Sequence, residues 1–109
     1  MTSFDDFKND VIEGVKALAV GQLKSFVTQL QSDTTSFLQK SATKLKTWTE
    51  LLAEGRLDEE EFALLVKSQA ALAQMHALTQ AGIGASRLKH LRDDLISLVV
   101  NTAIRRFLP

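Results

Sequence analysis

The sequence contains no cysteine, which excludes disulfides, thiolate metal ligation and cysteine catalysis. Its one proline is Pro109, so no proline interrupts a helix anywhere in the interior. Glycine is scarce, with five residues, and there is one tryptophan and no tyrosine. Two histidines, His76 and His90, are too few for a histidine-rich metal site. Net charge is missing as well, because 13 Lys and Arg balance 13 Asp and Glu. A general nucleic-acid binder is clearly basic, so nucleic acid is not expected as a partner. Residues 1–6 carry no basic region leading into an apolar run, so no secretory signal is expected. The longest strongly apolar run is Leu95-Ile96-Ser97-Leu98-Val99-Val100, far short of the roughly 20 residues that a spanning helix needs. Together these absences point to a cytoplasmic chain.

What is present is apolar and helical. A length of 109 residues suits one domain, 1–109, and a hydrophobic content of 45% is too high for a disordered chain. Helix formers dominate and strand-like alternation is hard to find, so the fold class is all-α. The strongest turn signal is Glu54-Gly55-Arg56-Leu57-Asp58. Gly55 can take the left-handed conformation that ends a helix. Asp58 and Glu61 have the spacing of a capping box, and Leu57 and Phe62 that of a hydrophobic staple. Glu59, Glu60 and Glu61 place negative charge in the first turn, where the helix dipole favours it.

The two arms on either side of this turn are nearly equal. In the first, Ser3 is a cap candidate, and Phe4, Val15, Phe26, Phe37 and Trp48 recur every eleven residues. An eleven-residue repeat is three helical turns. The phase carries across Ser32-Asp33-Thr34-Thr35, where a break is otherwise plausible. Gln22 and Asp33, on the row of Val11, look like polar edges of the stripe. These features predict one helix of about fifty residues, roughly 75 Å long. In the second arm, Ala81-Gly82-Ile83-Gly84-Ala85-Ser86 is the weak point. We read it as continuous helix with a small-residue face, set opposite Phe26, Val27 and Leu30. The same count sets Gly14 opposite Leu98 and Gly21 opposite Leu91. The expected architecture is therefore an antiparallel hairpin of two helices of about fifty residues, turning at 55–57. The acids Asp5, Asp6, Asp10 and Glu13 would lie beside Arg105 and Arg106.

A two-helix hairpin leaves apolar surface uncovered. Leu95, Ile96, Leu98, Val99, Val100, Ala103 and Ile104 ring most of one helix, and Val11 to Val20 is similarly rich. Such a helix needs further partners, and another copy of the chain is the simplest. The expected oligomer or core seam is Val11, Val15, Leu18, Phe26, Phe37, Trp48, Leu91, Leu95, Leu98, Val99 and Phe107. The alternative is a monomeric four-helix bundle, broken near 32–34 and 82–85 and about 40 Å long.

No catalytic constellation is legible. His76 has no carboxylate at helical spacing and reads as a partly buried structural residue. His90 lies in Arg87-Leu88-Lys89-His90-Leu91-Arg92, a basic stretch that Asp93 and Asp94 dilute, and reads as part of a solvated face. The acid run Asp58–Glu61 lacks the shaped loop of a cation site. Gly82-Ile83-Gly84 lacks the spacing of a phosphate loop. No catalytic residue, cofactor or metal is expected. The expected function is a non-enzymatic, self-associating interaction or scaffold protein, with a protein partner besides its own copies. Two alternatives stand beside it. One is a membrane-active amphipathic protein, motivated by residues 95–104 with Arg105 and Arg106 but not favoured. The other is a small-ligand carrier with a cavity lined by Gly82, Gly84 and Ala85.

Overall fold

Apolar residues at helical spacing and an interior without proline give helices throughout. The computed structural model describes residues 4–108, with the side chain of Gln22 excepted. It contains α1 (Phe4–Gly14), α2 (Val27–Lys40), α3 (Ala42–Ala53), α4 (Glu59–Lys67), α5 (His76–Gln80) and α6 (Ala85–Phe107). Three 3₁₀ helices, Val15–Ala17, Gly21–Phe26 and Ala70–Leu72, lie between them, and the described residues include no strand. The helix α6 is the central strut, with α1, α3 and α4 all packed on it. On the other side α2 bridges α1 and α5. The core is shared by all six, with Phe7, Val11, Leu30, Phe37, Leu45, Leu52, Phe62, Leu78, Leu95 and Val99 almost wholly buried.

The long hairpin is absent. The molecule measures 42 × 24 × 20 Å, against the length of about 75 Å that two unbroken arms require. The first arm reverses at residues 18–20, where Val20 is extended (φ −110°, ψ 159°) and Gly21 opens the next element with φ +58°. It bends again at Ser41, between α2 and α3. The second arm breaks between Lys67 and His76, and again at 81–84. The Gly82 break is a helix C-terminus of the left-handed type: the Gly82 N–H donates to Thr79 O and the Ile83 N–H to Leu78 O, both at 3.1 Å. A Cβ at Gly82 or Gly84 would meet nothing within 4 Å, so no bulky face packs on them and the small-residue face is overturned.

The bundle alternative places one break correctly, at 82–85, and misses the other. No break occurs at 32–34, because Thr34 and Thr35 hydroxyls donate back to Leu30 O and Gln31 O at 2.7 and 2.9 Å, which keeps their polar groups satisfied inside α2.

The turn at 55–57 forms as its residues dictate. Gly55 has φ +72°; its N–H donates to Leu52 O at 3.1 Å and the Arg56 N–H to Leu51 O at 2.9 Å. The Glu61 N–H donates to Asp58 Oδ1 at 2.8 Å, and the Asp58 N–H to Glu61 Oε1 at 3.0 Å. Phe62 is fully buried and Leu57 packs against the same core. The cap candidate Ser3 and the polar edge Gln22 lie outside what is described.

The ends of the chain meet as the charge pattern implies. Phe7 and Phe107 rings touch edge to face at 5.8 Å. A Cβ at Gly14 would come within 3.0 Å of Leu98 Cδ1, so glycine here lets α1 lie close on α6. Arg106 Nε donates to Asp10 Oδ2 across the two helices. That hydrogen bond is the main reason the Asp10 carboxyl titrates below its ordinary value; the charges of Arg106 and Arg105 add to it, and desolvation opposes it. The folded chain thus binds this proton less readily than the unfolded chain does. The resulting stabilisation is complete above the ordinary carboxylate range and is lost as pH falls through the depressed folded value. The unfolding midpoint of the wild-type chain should therefore drop more between about pH 5 and about pH 3 than that of Asp10→Asn. Parallel pH profiles for the two proteins would remove this role.

Candidate functional site

The largest of three clefts among the described residues is formed where the first arm reverses. A cleft of about 510 Å³ lies between the 18–23 segment and the first turns of α6. Leu18, Val20 and Leu23 make one wall; Leu91 and the Ser86, Arg87, His90 and Asp94 side make the other. Residues 87, 90, 91 and 94 fall on one stripe of α6, because positions three and four apart are neighbours on a helix. The reversal presents Val20 at 62% exposure, one of two large apolar side chains displayed this openly among the described residues. The other, Leu64 at 69%, stands on α4 away from any cleft. The apolar walls thus lie beneath an edge carrying both charge signs, Arg87 and Asp94.

A second, smaller cleft of about 240 Å³ is polar, lined by Ser32, Asp33, Ser36, Gln74, Met75, His76, Ala77 and Gln80. Its organising residue is Asp33, which is 6% exposed. The N–H groups of Ala77 and Leu78 donate to its two carboxylate oxygens at 2.8 and 3.0 Å. Met75 precedes α5 in a left-handed conformation (φ 56°, ψ 39°) and has no side-chain acceptor of its own. Asp33 therefore caps α5 from a different helix. Arg92 Nε donates to Ala73 O at 2.9 Å and ties down the same connection from α6. On the rim, Gln74 Oε1 accepts from Lys40 Nζ at 2.9 Å and lies 2.9 Å from His76 Nε2. Asp33, Gln74 and His76 are thus engaged in holding the chain together around this cleft.

The residues expected to form a seam are placed as follows. Val11, Val15, Phe37, Leu91, Leu95 and Val99 are buried within the chain, while Leu18, Phe26, Trp48, Leu98 and Phe107 are partly buried against the same core. Leu18 and Leu91 also line the large cleft. Asp33 is not a polar edge but a buried cap. His76 is exposed rather than partly buried, and His90 is exposed on the cleft wall. Gly82, Gly84 and Ala85 line none of the three clefts. Val20, Leu23, Asp94 and the capping role of Asp33 are what sequence reasoning missed. A signal existed for Asp33: it lies on the row of Val11, a core position.

No group of His, Asp or Glu side chains among the described residues could hold a metal ion. No helix among them is long and apolar enough to cross a membrane. Of the apolar residues of the 95–104 segment, Leu95, Ile96, Val99, Val100 and Ala103 are buried in the core, and Leu98 and Ile104 are partly buried against it. No protein family, curated protein or solved structure matches this chain.

Proposed function

We propose that this chain is a non-catalytic interaction module that takes apolar side chains of a protein partner into the cleft between the 18–23 segment and α6. The observation that carries this reading is the exposed Val20 beside apolar walls edged by Arg87, His90 and Asp94. Small-molecule sites are clefts or cavities deep enough to bury most of their ligand's surface. This depression is bounded by two walls and open above. An amphipathic helix of the partner fits it better, its apolar anchors between Leu18, Leu23 and Leu91 and its charges against the mixed edge.

The test is selection of helical peptides from a displayed library on the immobilised chain. Val20→Asp replaces an exposed side chain, so the fold is expected to persist, as circular dichroism will check. The selected peptides should share one apolar face. They should bind Val20→Asp at least about tenfold more weakly, a difference of about 1.4 kcal/mol. Selected peptides that bind both proteins equally, or no selected peptide at all, would remove the cleft as the contact surface.

A further inference from the structure

The segment 15–26 is where the sequence pattern is compatible with a straighter path than the folded chain takes. Phe4, Val15, Phe26 and Phe37 keep an eleven-residue phase through it, as one continuous helix would. In the folded chain the same segment is two 3₁₀ helices around the 18–20 reversal. The second of them, Gly21–Phe26, has six residues and runs straight into α2. Runs of 3₁₀ helix beyond three or four residues are uncommon, and in the middle of a helix they often mark a hinge or a sequence under strain. That is the place this run would hold in a helix joining α1 to α2. Gly21 sits at φ +58°, where an α-helix would need a negative φ, and Val20 is left largely in solvent.

The element beyond this hinge is a terminal helix that packs on α6 and on α2. The helix α1 has 11 residues. It is fixed to the body by Phe7 on Phe107, by Gly14 on Leu98 and by Asp10 on Arg106. Gln31 Nε2 also donates to Ile12 O at 3.3 Å. Every one of these contacts can be remade with the α1 of another copy. We propose that two copies of this chain exchange α1 through the 15–26 hinge, so that α1 and α2 become one continuous helix and α1 docks on its partner's α6. Straightening removes the reversal and replaces 3₁₀ with α-helical hydrogen bonds, while the docking contacts are conserved. The arrangement is a closed two-fold dimer.

The Asp10–Arg106 pair tests the exchange directly. A chain carrying Asp10→Arg and a chain carrying Arg106→Asp each have two like charges facing one another in the closed monomer. In an exchanged pair made of one of each, both junctions regain opposite charges. After co-refolding at high concentration, light scattering and native mass spectrometry should show the 1:1 heterodimer in large excess over either homodimer. Gly21→Ala supplies the second reading. No atom lies within 4 Å of the added Cβ, so its effect falls on the backbone alone. Alanine disfavours the left-handed hinge and favours the straight helix, so the dimerisation constant should rise at least about tenfold. Two monomers persisting in the mixture, with no dimer of Gly21→Ala at the highest concentration, would overturn the proposal. So would a dimer of statistical composition, because its copies would then meet through another face.

Discussion

Replacing Asp33 by alanine should lower the free energy of unfolding by about 3 kcal/mol. Hydrogen bonds to a charged group contribute about 1.5–3 kcal/mol each, and losing a helix cap typically costs about 1 kcal/mol. Asp33 does both tasks at once, because its two oxygens accept the N–H groups of Ala77 and Leu78. Without it, the first turn of a five-residue helix loses its acceptors. Met75, buried and left-handed, then loses the contact that fixes the residues after it. A domain of this size has about 5–15 kcal/mol in total, so the loss is a large share. Urea unfolding followed by circular dichroism measures it. Amide exchange gives a local check, since Ala77 and Leu78 should lose protection before the amides of α6. Asp33→Asn should recover part of the stability, because one carbonyl oxygen still accepts while the amide nitrogen cannot. A shift below about 1 kcal/mol for Asp33→Ala would show that solvent replaces the carboxylate, contrary to its burial.

That residue also shows how far the sequence could be read. Helical class and the 55–57 turn are local matters. Gly55, Asp58 and Glu61 act on their own neighbours, so their spacing is enough. The pairing of the chain ends was legible too, because Asp10 with Arg106 and Gly14 with Leu98 follow from charge and size once the arms run antiparallel. The reversals were not. An eleven-residue phase implies continuity, yet Phe4, Val15, Phe26, Phe37 and Trp48 all meet one core although the helix turns between them. Separate helices packed around a common core each need an inward residue at their own helical spacing, so the phase survives the breaks. Nor does any local signal announce a left-handed Met75. It is held there by Asp33 and Arg92, which lie far away in sequence. The large cleft was hidden for the same reason, since its two walls come together only after the 18–20 reversal.

Val99→Asp and Leu98→Asp separate the two meanings of the apolar C-terminal segment. Both belong to the apolar run 95–100, but the fold treats them differently. Val99 is 0% exposed, in the centre of α6 among the core side chains. Leu98 is partly buried against the backbone of Gly14. A carboxylate at 99 is a buried charge without a partner, which costs about 3–5 kcal/mol. The lost apolar burial adds about 1.5 kcal/mol or more. The sum approaches the whole stability of a domain of this size, so Val99→Asp should be largely unfolded at room temperature. Leu98→Asp can turn its carboxylate toward solvent and should cost about 1–2 kcal/mol while keeping the fold. Far-ultraviolet circular dichroism with thermal unfolding distinguishes them. A Val99→Asp chain that stays helical and cooperative, and changes only its molar mass in light scattering, would mean that this valine lies between copies. The loss of helix itself would place it inside one chain, where the packing of α1, α3 and α4 around α6 requires it to be.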